Sequence, residues 1–121
     1  MDIQNIEHVD NFITKDGSEI RELLAHRNSA IRNQSLAEAR VPIGTSTAAH
    51  YHPQTEEIYY ILQGIGEMRI DAERMTVGVG DAIAIPPGQV HQITNIGHDT
   101  LVFLCCCAPG YEHTDTVLVD E

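Results

Sequence analysis

The sequence predicts an all-β fold, an antiparallel sandwich or a barrel, and two observations carry that prediction. Short segments rich in Ile, Val, Tyr and Thr recur from residue 42 onward. Gly and Pro residues separate these segments at intervals of roughly 8 to 12 residues, a spacing typical of antiparallel sheets. The segments are E-I-Y-Y-I-L-Q, E-M-R-I-D-A, M-T-V-G-V, D-A-I-A-I, V-H-Q-I-T-N and L-V-F-L-C-C-C.

The chain before residue 42 gives a weaker pattern. The segment S-E-I-R-E-L-L-A-H-R is compatible with a short helix or with a strand, whereas N-Q-S-L-A-E-A-R-V alternates enough to predict a strand. We therefore expect a short N-terminal extension ahead of the strand-rich region. Its polar start suits pairing with the exposed sheet edge of a second subunit.

Length and composition predict one cytoplasmic domain, residues 1–121. A chain of 121 residues can bury one hydrophobic core without disulfides. A formal net charge of −11 argues against binding nucleic acid or an anionic membrane. We find neither a signal-peptide pattern at the N-terminus nor a run of about 18 apolar residues. The three cysteines are consecutive, a poor disulfide framework because neighbouring strand side chains point to opposite faces.

Three histidines suggest a metal centre. His50 and His52 are two residues apart, so on a strand both imidazoles leave the same face and can converge on one ion. Such a pair by itself is more often two solvated or core histidines than a metal site. Support comes from His91, which lies on a separate predicted strand just after a rigid Pro-Pro-Gly turn.

Both histidine segments resemble the conserved motifs of the cupin superfamily. The motif G-x5-H-x-H-x(3,4)-E-x6-G matches residues 44–64, and G-x5-P-x-G-x2-H-x3-N matches residues 80–95, at every defining position. The fifteen residues between the motifs match the short loop of small microbial cupins. The segment L-C-C-C-A-P-G-Y-E-H-T-D-T is also similar to the tail of single-domain cupins labelled similar to mannose-6-phosphate isomerase. The resemblance implies a double-stranded β-helix, a jelly-roll barrel, although this fold hosts many reactions.

The resemblance also implies a set of metal ligands, which fall on His50, His52, Glu57 and His91. It implies one divalent transition metal per chain, for which mixed imidazole and carboxylate ligands suit Fe, Mn or Zn, with Ni, Co and Cu also possible. An octahedral ion in this set would keep about two positions open for water, substrate or dioxygen. The net positive charge of such a site would attract an anionic, chelating molecule.

Two adjacent glutamates compete for the carboxylate position, because the family spacing admits either. Counting six residues back from Gly64 selects Glu57. Strand parity then places Tyr59 and Ile61 on the face of Glu57 and leaves Glu56 in the preceding loop, in solvent.

Parity on the other strands extends the candidate pocket. Ile93 and Asn95 follow His91 inward, although we expect Asn95 to bond backbone groups in a turn. By resemblance to small cupins, Phe103 and Cys105 line the barrel. We expect Cys105 to be a buried, inert thiol, because no basic neighbour is evident to lower its pKa.

Two pocket candidates have alternative roles. Tyr59 is either a substrate contact, and then a candidate catalytic base, or a core tyrosine whose hydroxyl bonds the backbone. Arg40 either turns into the pocket to hold a carboxylate or forms an exposed ion pair with Glu38.

The leading hypothesis is a metal-dependent enzyme acting on a small polar or anionic organic molecule. Dioxygenation would require a redox-active metal, whereas isomerase or lyase chemistry requires only a Lewis acid and a base. The alternative is a non-catalytic, metal-dependent cupin that binds a small molecule or a sugar. The expected partners are a small-molecule substrate and a second copy of the chain, since small cupins commonly dimerise, with no nucleic acid and no membrane.

Overall fold

A computed structural model, which describes residues 1–120, shows two antiparallel β-sheets joined by turns and two short 3-10 helices. The 3-10 helices span Ile6–His8 and His113–Asp115. The strands are β1 Phe12–Ile13, β2 Glu19–Leu24, β3 Ser35–Val41, β4 His50–Tyr51, β5 Glu56–Gln63, β6 Ile65–Ile70, β7 Glu73–Gly78, β8 Ala82–Ile85, β9 His91–Asn95, β10 Leu101–Ala108 and β11 Val117–Leu118.

The strand order is that of a jelly roll. One sheet has the order β1-β2-β3-β10-β5-β8 and the other has the order β11-β4-β9-β6-β7. Strands distant in sequence therefore lie side by side, as β10 does between β3 and β5. The predicted all-β jelly-roll class is confirmed, and the uncertain segment near residue 20 is a strand rather than a helix.

One hydrophobic core is built from both sheets, because alternate residues of each central strand point inward. On β5 the burial pattern alternates strictly from Glu56 to Leu62, with Glu57, Tyr59 and Ile61 buried. The inward set on β10 begins at Leu101 and continues at every second residue. The core contains Ala39, Val41, Tyr59, Ile61, Met68, Val77, Ile85, Ile93, Leu101, Phe103 and Cys105.

The last glycine of the first motif allows β5 to turn into β6 against β10. Gly64 has φ +89°, a left-handed conformation that L side chains rarely adopt. A Cβ atom added there would also lie 3.1 Å from the Cα of Leu101. Conformation and close packing therefore both require glycine at this position.

The motif asparagine binds backbone groups, as its type suggested. The Asn95 side-chain amide donates to the carbonyls of Val41 and Asp99, and its oxygen accepts from the amide of Gly97. Asn95 thus fixes the loop that follows β9 rather than contacting the site.

Cysteine state and helix length bear on the predicted location. Cys105, Cys106 and Cys107 are free thiols. Within residues 1–120, helical segments fall short of the length and apolar character that crossing a bilayer requires. The cytoplasmic location stays a prediction.

Candidate metal centre

Four side chains from three strands and one loop converge inside the barrel. His50 lies on β4, His52 just after it, Glu57 on β5 and His91 on β9. All four are buried, and one ligand atom from each lies within 4.8 Å of the others. The register explains part of this geometry, because His50 and His91 are direct cross-strand partners. Glu56 is exposed and lies outside the cluster, but it is the first residue of β5 rather than part of the preceding loop.

The Nδ1 atom of each imidazole ring, on the side away from the cluster centre, forms a hydrogen bond with a backbone carbonyl. A carbonyl only accepts hydrogen bonds, so Nδ1 carries the proton and a neutral ring directs the lone pair of Nε2 inward. Preset ring orientation of this kind is typical of histidines that bind metals. The pairs are His50 with Ala48 at 2.8 Å, His52 with Asp115 at 3.0 Å and His91 with Gln89 at 3.1 Å.

The centre of the cluster contains polar atoms that lack hydrogen bonds. Glu57 Oε1 lies 2.8 Å from His52 Nε2 and 3.3 Å from His91 Nε2. Even so, Glu57 Oε1 and His91 Nε2 are both buried without a hydrogen-bond partner. Unsatisfied buried polar atoms are costly, and a divalent cation would satisfy all of them at once. The residues therefore fit the metal that the donor set implies.

Electrostatics favour a carboxylate and a neutral imidazole at two of these positions. Burial raises the pKa of Glu57, but the neighbouring His52 and His91 lower it more, so its pKa lies well below the ordinary value. Burial and the adjacent His91 lower the pKa of His50. Burial lowers the pKa of His52, but its contacts with Glu57 and with Asp115 together outweigh burial and raise the pKa overall.

Cys107 reaches the metal-facing carboxylate from the neighbouring strand. Its thiol donates to Glu57 Oε2 at 3.2 Å, because Cys107 and Glu57 are cross-strand partners on β10 and β5. Burial and the charge of Glu57 raise the pKa of this thiol far above its ordinary value, so it stays protonated and can donate. Cys107 shares the inward side of β10 with Phe103, but only the register between β5 and β10 reveals this contact.

Asp16 is a site residue that the sequence did not predict. Its Oδ2 atom lies 3.5 Å from His50 Nε2, on the inward side of that ring. Its backbone carbonyl accepts from the amide of Ala48, which ties the Thr14–Ser18 turn to β4. The Asp-Gly-Ser run indicates a turn, but nothing in it indicates which strand the turn meets.

A cavity adjoins the cluster and is lined by three of its members, His50, His52 and Glu57. Of the predicted pocket residues, Tyr59, Phe103 and Cys105 line it. Segments on both sides of the motifs also contribute, including Phe12 from β1 and Tyr111 near the C-terminus.

The structure corrects the pocket assignment at three positions. Ile61 and Ile93 are fully buried in the core and do not line the cavity, because they lie further along their strands than the ligands. Arg40 lies outside the cavity as well, since Ala39 takes the inward position on β3. The Arg40 guanidinium instead forms an ion pair with Glu38, with Nε 2.6 Å from Oε1. This ion pair is the second of the two roles that the sequence allowed for Arg40.

Tyr59 is 3% exposed and packs against other rings. Its ring centroid lies 4.5 Å from that of Phe103 and 5.9 Å from that of His91. Burial raises its pKa well above the ordinary value, so the phenol keeps its proton at neutral pH. This environment suits a hydrogen-bond donor and disfavours the predicted role of catalytic base.

Fold and site together define a class, a small jelly-roll barrel with a candidate mononuclear site of three imidazoles and one carboxylate. The family model described as Cupin domain matches residues 37–107. The chain belongs to the cupin family.

Three comparisons place the chain among its relatives. Protein MJ1618 of Methanocaldococcus jannaschii is 51% identical over 109 residues, covering 90% of this chain and 87% of that protein. An oxalate-binding protein of Thermotoga maritima is 31% identical over 86 residues, 71% of each chain. The polyketide cyclase RemF of Streptomyces resistomycificus has a TM-score of 0.84 and 24% identity, covering 100% of this chain and 87% of that one. The likeness to RemF shows the fold alone.

Proposed function

We propose that this protein is a metal-dependent enzyme that acts on a small polar or anionic organic molecule by redox-neutral chemistry of isomerase or lyase type. The carrying observation is the buried cluster of His50, His52, Glu57 and His91, which contains unsatisfied polar atoms and three of whose members, His50, His52 and Glu57, line a cavity. A site that only stabilised the fold would have no reason to face such a cavity.

The protein residues have separable tasks in this proposal. The three imidazoles and Glu57 would hold a divalent ion, which supplies a Lewis acid for a carbonyl or carboxylate oxygen. Backbone carbonyls hold the rings in place, and Cys107 holds Glu57. The phenol of Tyr59 would donate a hydrogen bond to a bound molecule, and Phe103 excludes water from one wall of the cavity.

One feature supports redox-neutral chemistry over dioxygenation. Acid–base steps of isomerase or lyase type need a polar group near the ion that can accept a proton, and the Asp16 carboxylate lines the cavity with its Oδ2 atom 3.5 Å from His50 Nε2.

The test combines metal content with oxygen uptake. Protein purified without added metal should contain close to one transition-metal ion per chain by elemental analysis. Zn²⁺-loaded protein should convert a member of a panel of hydroxy acids, diketones and catechols without consuming oxygen. A site still empty after incubation with Fe, Mn and Zn would contradict metal dependence, and oxygen uptake confined to the iron form would establish dioxygenation instead.

A second candidate function is metal-dependent binding without turnover. The observation that favours it is the 31% identity to a protein named for binding oxalate. Calorimetry separates the two functions, because a pure binder gives a saturating heat and returns the ligand unchanged. An enzyme gives product that chromatography of the same sample detects.

A further inference from the structure

Asp16 has one carboxylate oxygen that is fully engaged and one that is not. Oδ1 accepts hydrogen bonds from the Thr14 hydroxyl at 2.6 Å and from the Ser18 amide and hydroxyl at 2.9 and 2.6 Å. These three donors fix the carboxylate in one orientation. The orientation directs Oδ2 toward the metal-facing nitrogen of His50, and the side chain is only 12% exposed.

The neighbour of Oδ2 cannot donate to it. His50 Nδ1 faces the carbonyl of Ala48 and therefore carries the ring proton. In the neutral ring Nε2 has only a lone pair, which a bound metal would occupy. Oδ2 thus lacks a donor from His50 at 3.5 Å and is free to accept one from a molecule beside the metal.

Asp16 is placed beside the ligand set rather than within it. It is not among the four residues whose ligand atoms meet within 4.8 Å. It also lies outside residues 37–107, the region that matches the cupin family. The N-terminal extension therefore contributes an anionic acceptor to a site whose ligands all come from the matched region.

We propose that Asp16 is a specificity-determining residue that accepts a hydrogen bond from a hydroxyl of the metal-bound substrate. The selected class is small carboxylates that carry a hydroxyl next to the chelating group, such as α-hydroxy acids. A chelating molecule that carries no hydroxyl donor would place one of its oxygens against Asp16 Oδ2 with no hydrogen atom between them. Such an unsatisfied pair of acceptors is strongly unfavourable in a buried site. The inference rests on the proposed metal-dependent function and adds the substrate class.

The test uses Co²⁺-loaded protein and two probes of equal charge, glycolate and methoxyacetate. Methylation removes the hydroxyl donor and keeps the carboxylate, and visible absorption of Co²⁺ reports binding of either probe without turnover. Wild-type protein should bind glycolate roughly tenfold or more tightly than methoxyacetate, as expected for a hydrogen bond to a charged acceptor. Equal binding of the two probes by wild-type protein would overturn the proposal without any variant.

The variant Asp16→Asn removes the charge and changes little in shape. It should lose most of the preference for glycolate while its Co²⁺ content and its thermal unfolding midpoint stay close to those of wild type. Asp10→Asn, an exposed change of equal charge in the same N-terminal segment, should keep the preference. Loss of Co²⁺ from Asp16→Asn would make Asp16 a metal ligand and overturn the proposal.

Failure of the two proposals is distinguishable. If wild-type protein takes up no Co²⁺, the metal-dependent function itself fails, and this inference fails with it. If Co²⁺ binds and the Asp16→Asn variant keeps the wild-type preference, only the role of Asp16 is overturned.

Discussion

At the scale of single residues, His91 brings the second motif into contact with the first. Its ring centroid lies 4.2 Å from that of His50, and its Nε2 lacks a hydrogen bond. We expect His91→Ala to lose stoichiometric metal in elemental analysis, because one of four ligands is removed, while circular dichroism still shows a β-sheet protein. The exposed His98→Ala is the matched control and should keep the metal. Unchanged metal content in His91→Ala would mean that His91 is not a ligand.

Cys107 should increase the metal affinity of the site through its hydrogen bond to the Glu57 carboxylate. Cys107→Ala removes the donor to Glu57 Oε2, and loss of a group that orients a ligand typically lowers metal affinity by about 10- to 100-fold. Competition with a chromophoric chelator measures this change. Cys107→Ser retains a donor and should recover much of the affinity, and Cys106→Ala, on the exposed side of β10, should have no effect. Equal affinity in all variants would show that the thiol only fills space.

Ionisation of Glu57 should stabilise the metal-free fold within a limited pH window. Its lowered pKa contributes stability above the unfolded value of about 4.3, which is lost as the pH falls through the folded pKa. The raised pKa of His52 contributes stability below about 6.5, which is lost as the pH rises through its folded pKa.

Wild type and Glu57→Gln should therefore differ most in free energy of unfolding between these limits. Urea unfolding of chelator-treated protein from about pH 3 to pH 9 measures that difference. It should shrink toward both ends of the range. A difference that is constant across the range would show that the charge of Glu57 is not what stabilises the metal-free cluster.

At the scale of elements, the first motif ends at Gly64, which forms the turn between β5 and β6. Gly64→Ala should destabilise the fold through both its left-handed backbone and the approach to Leu101. We expect a loss of about 2 kcal/mol or more in urea unfolding. Gly17→Ala is a matched control, because Gly17 has φ +88° with open space around it and reports backbone strain alone. Equal losses in the two variants would exclude a packing contribution at Gly64.

The segments outside the motifs complete the site at the same scale. The Asp115 carboxylate accepts from the amides of Gln54 and Thr55, and its carbonyl fixes His52. Lys15 donates to the carbonyls of His113 and Thr116, which links the N-terminal turn to the C-terminal segment. The metal ligands thus depend on contacts between the two ends of the chain.

At the scale of the whole molecule, the homodimer stays a prediction, and the outer face of β5 is an exposed apolar surface on which it can be tested. Ile58, Tyr60 and Leu62 are 50%, 43% and 41% exposed on one face. Light scattering after size-exclusion chromatography should give twice the chain mass, and Leu62→Lys should shift it toward the monomer. The control Leu118→Lys changes a similarly exposed leucine on β11 and should leave the mass unchanged. A monomeric wild type would contradict the prediction.

The sequence by itself predicted the fold class, and its resemblance to the two cupin motifs implied the four candidate ligands. Turn spacing marks the strands, and a side-chain period of two puts His50 and His52 on one face and Glu57 with Tyr59 on another. The count from Gly64 separated Glu57 from Glu56, because a motif preserves local spacing that the strand cannot change.

Only the tertiary structure decided which other residues reach the cluster. Cys107 depends on the register between β10 and β5, and Asp16 on the docking of a turn that lies 34 residues before His50. Arg40 was left open for the same reason, since a strand pattern gives alternation but not which face meets the cavity. Local spacing fixes the side-chain face of one strand, whereas contacts between distant segments depend on how the strands pair.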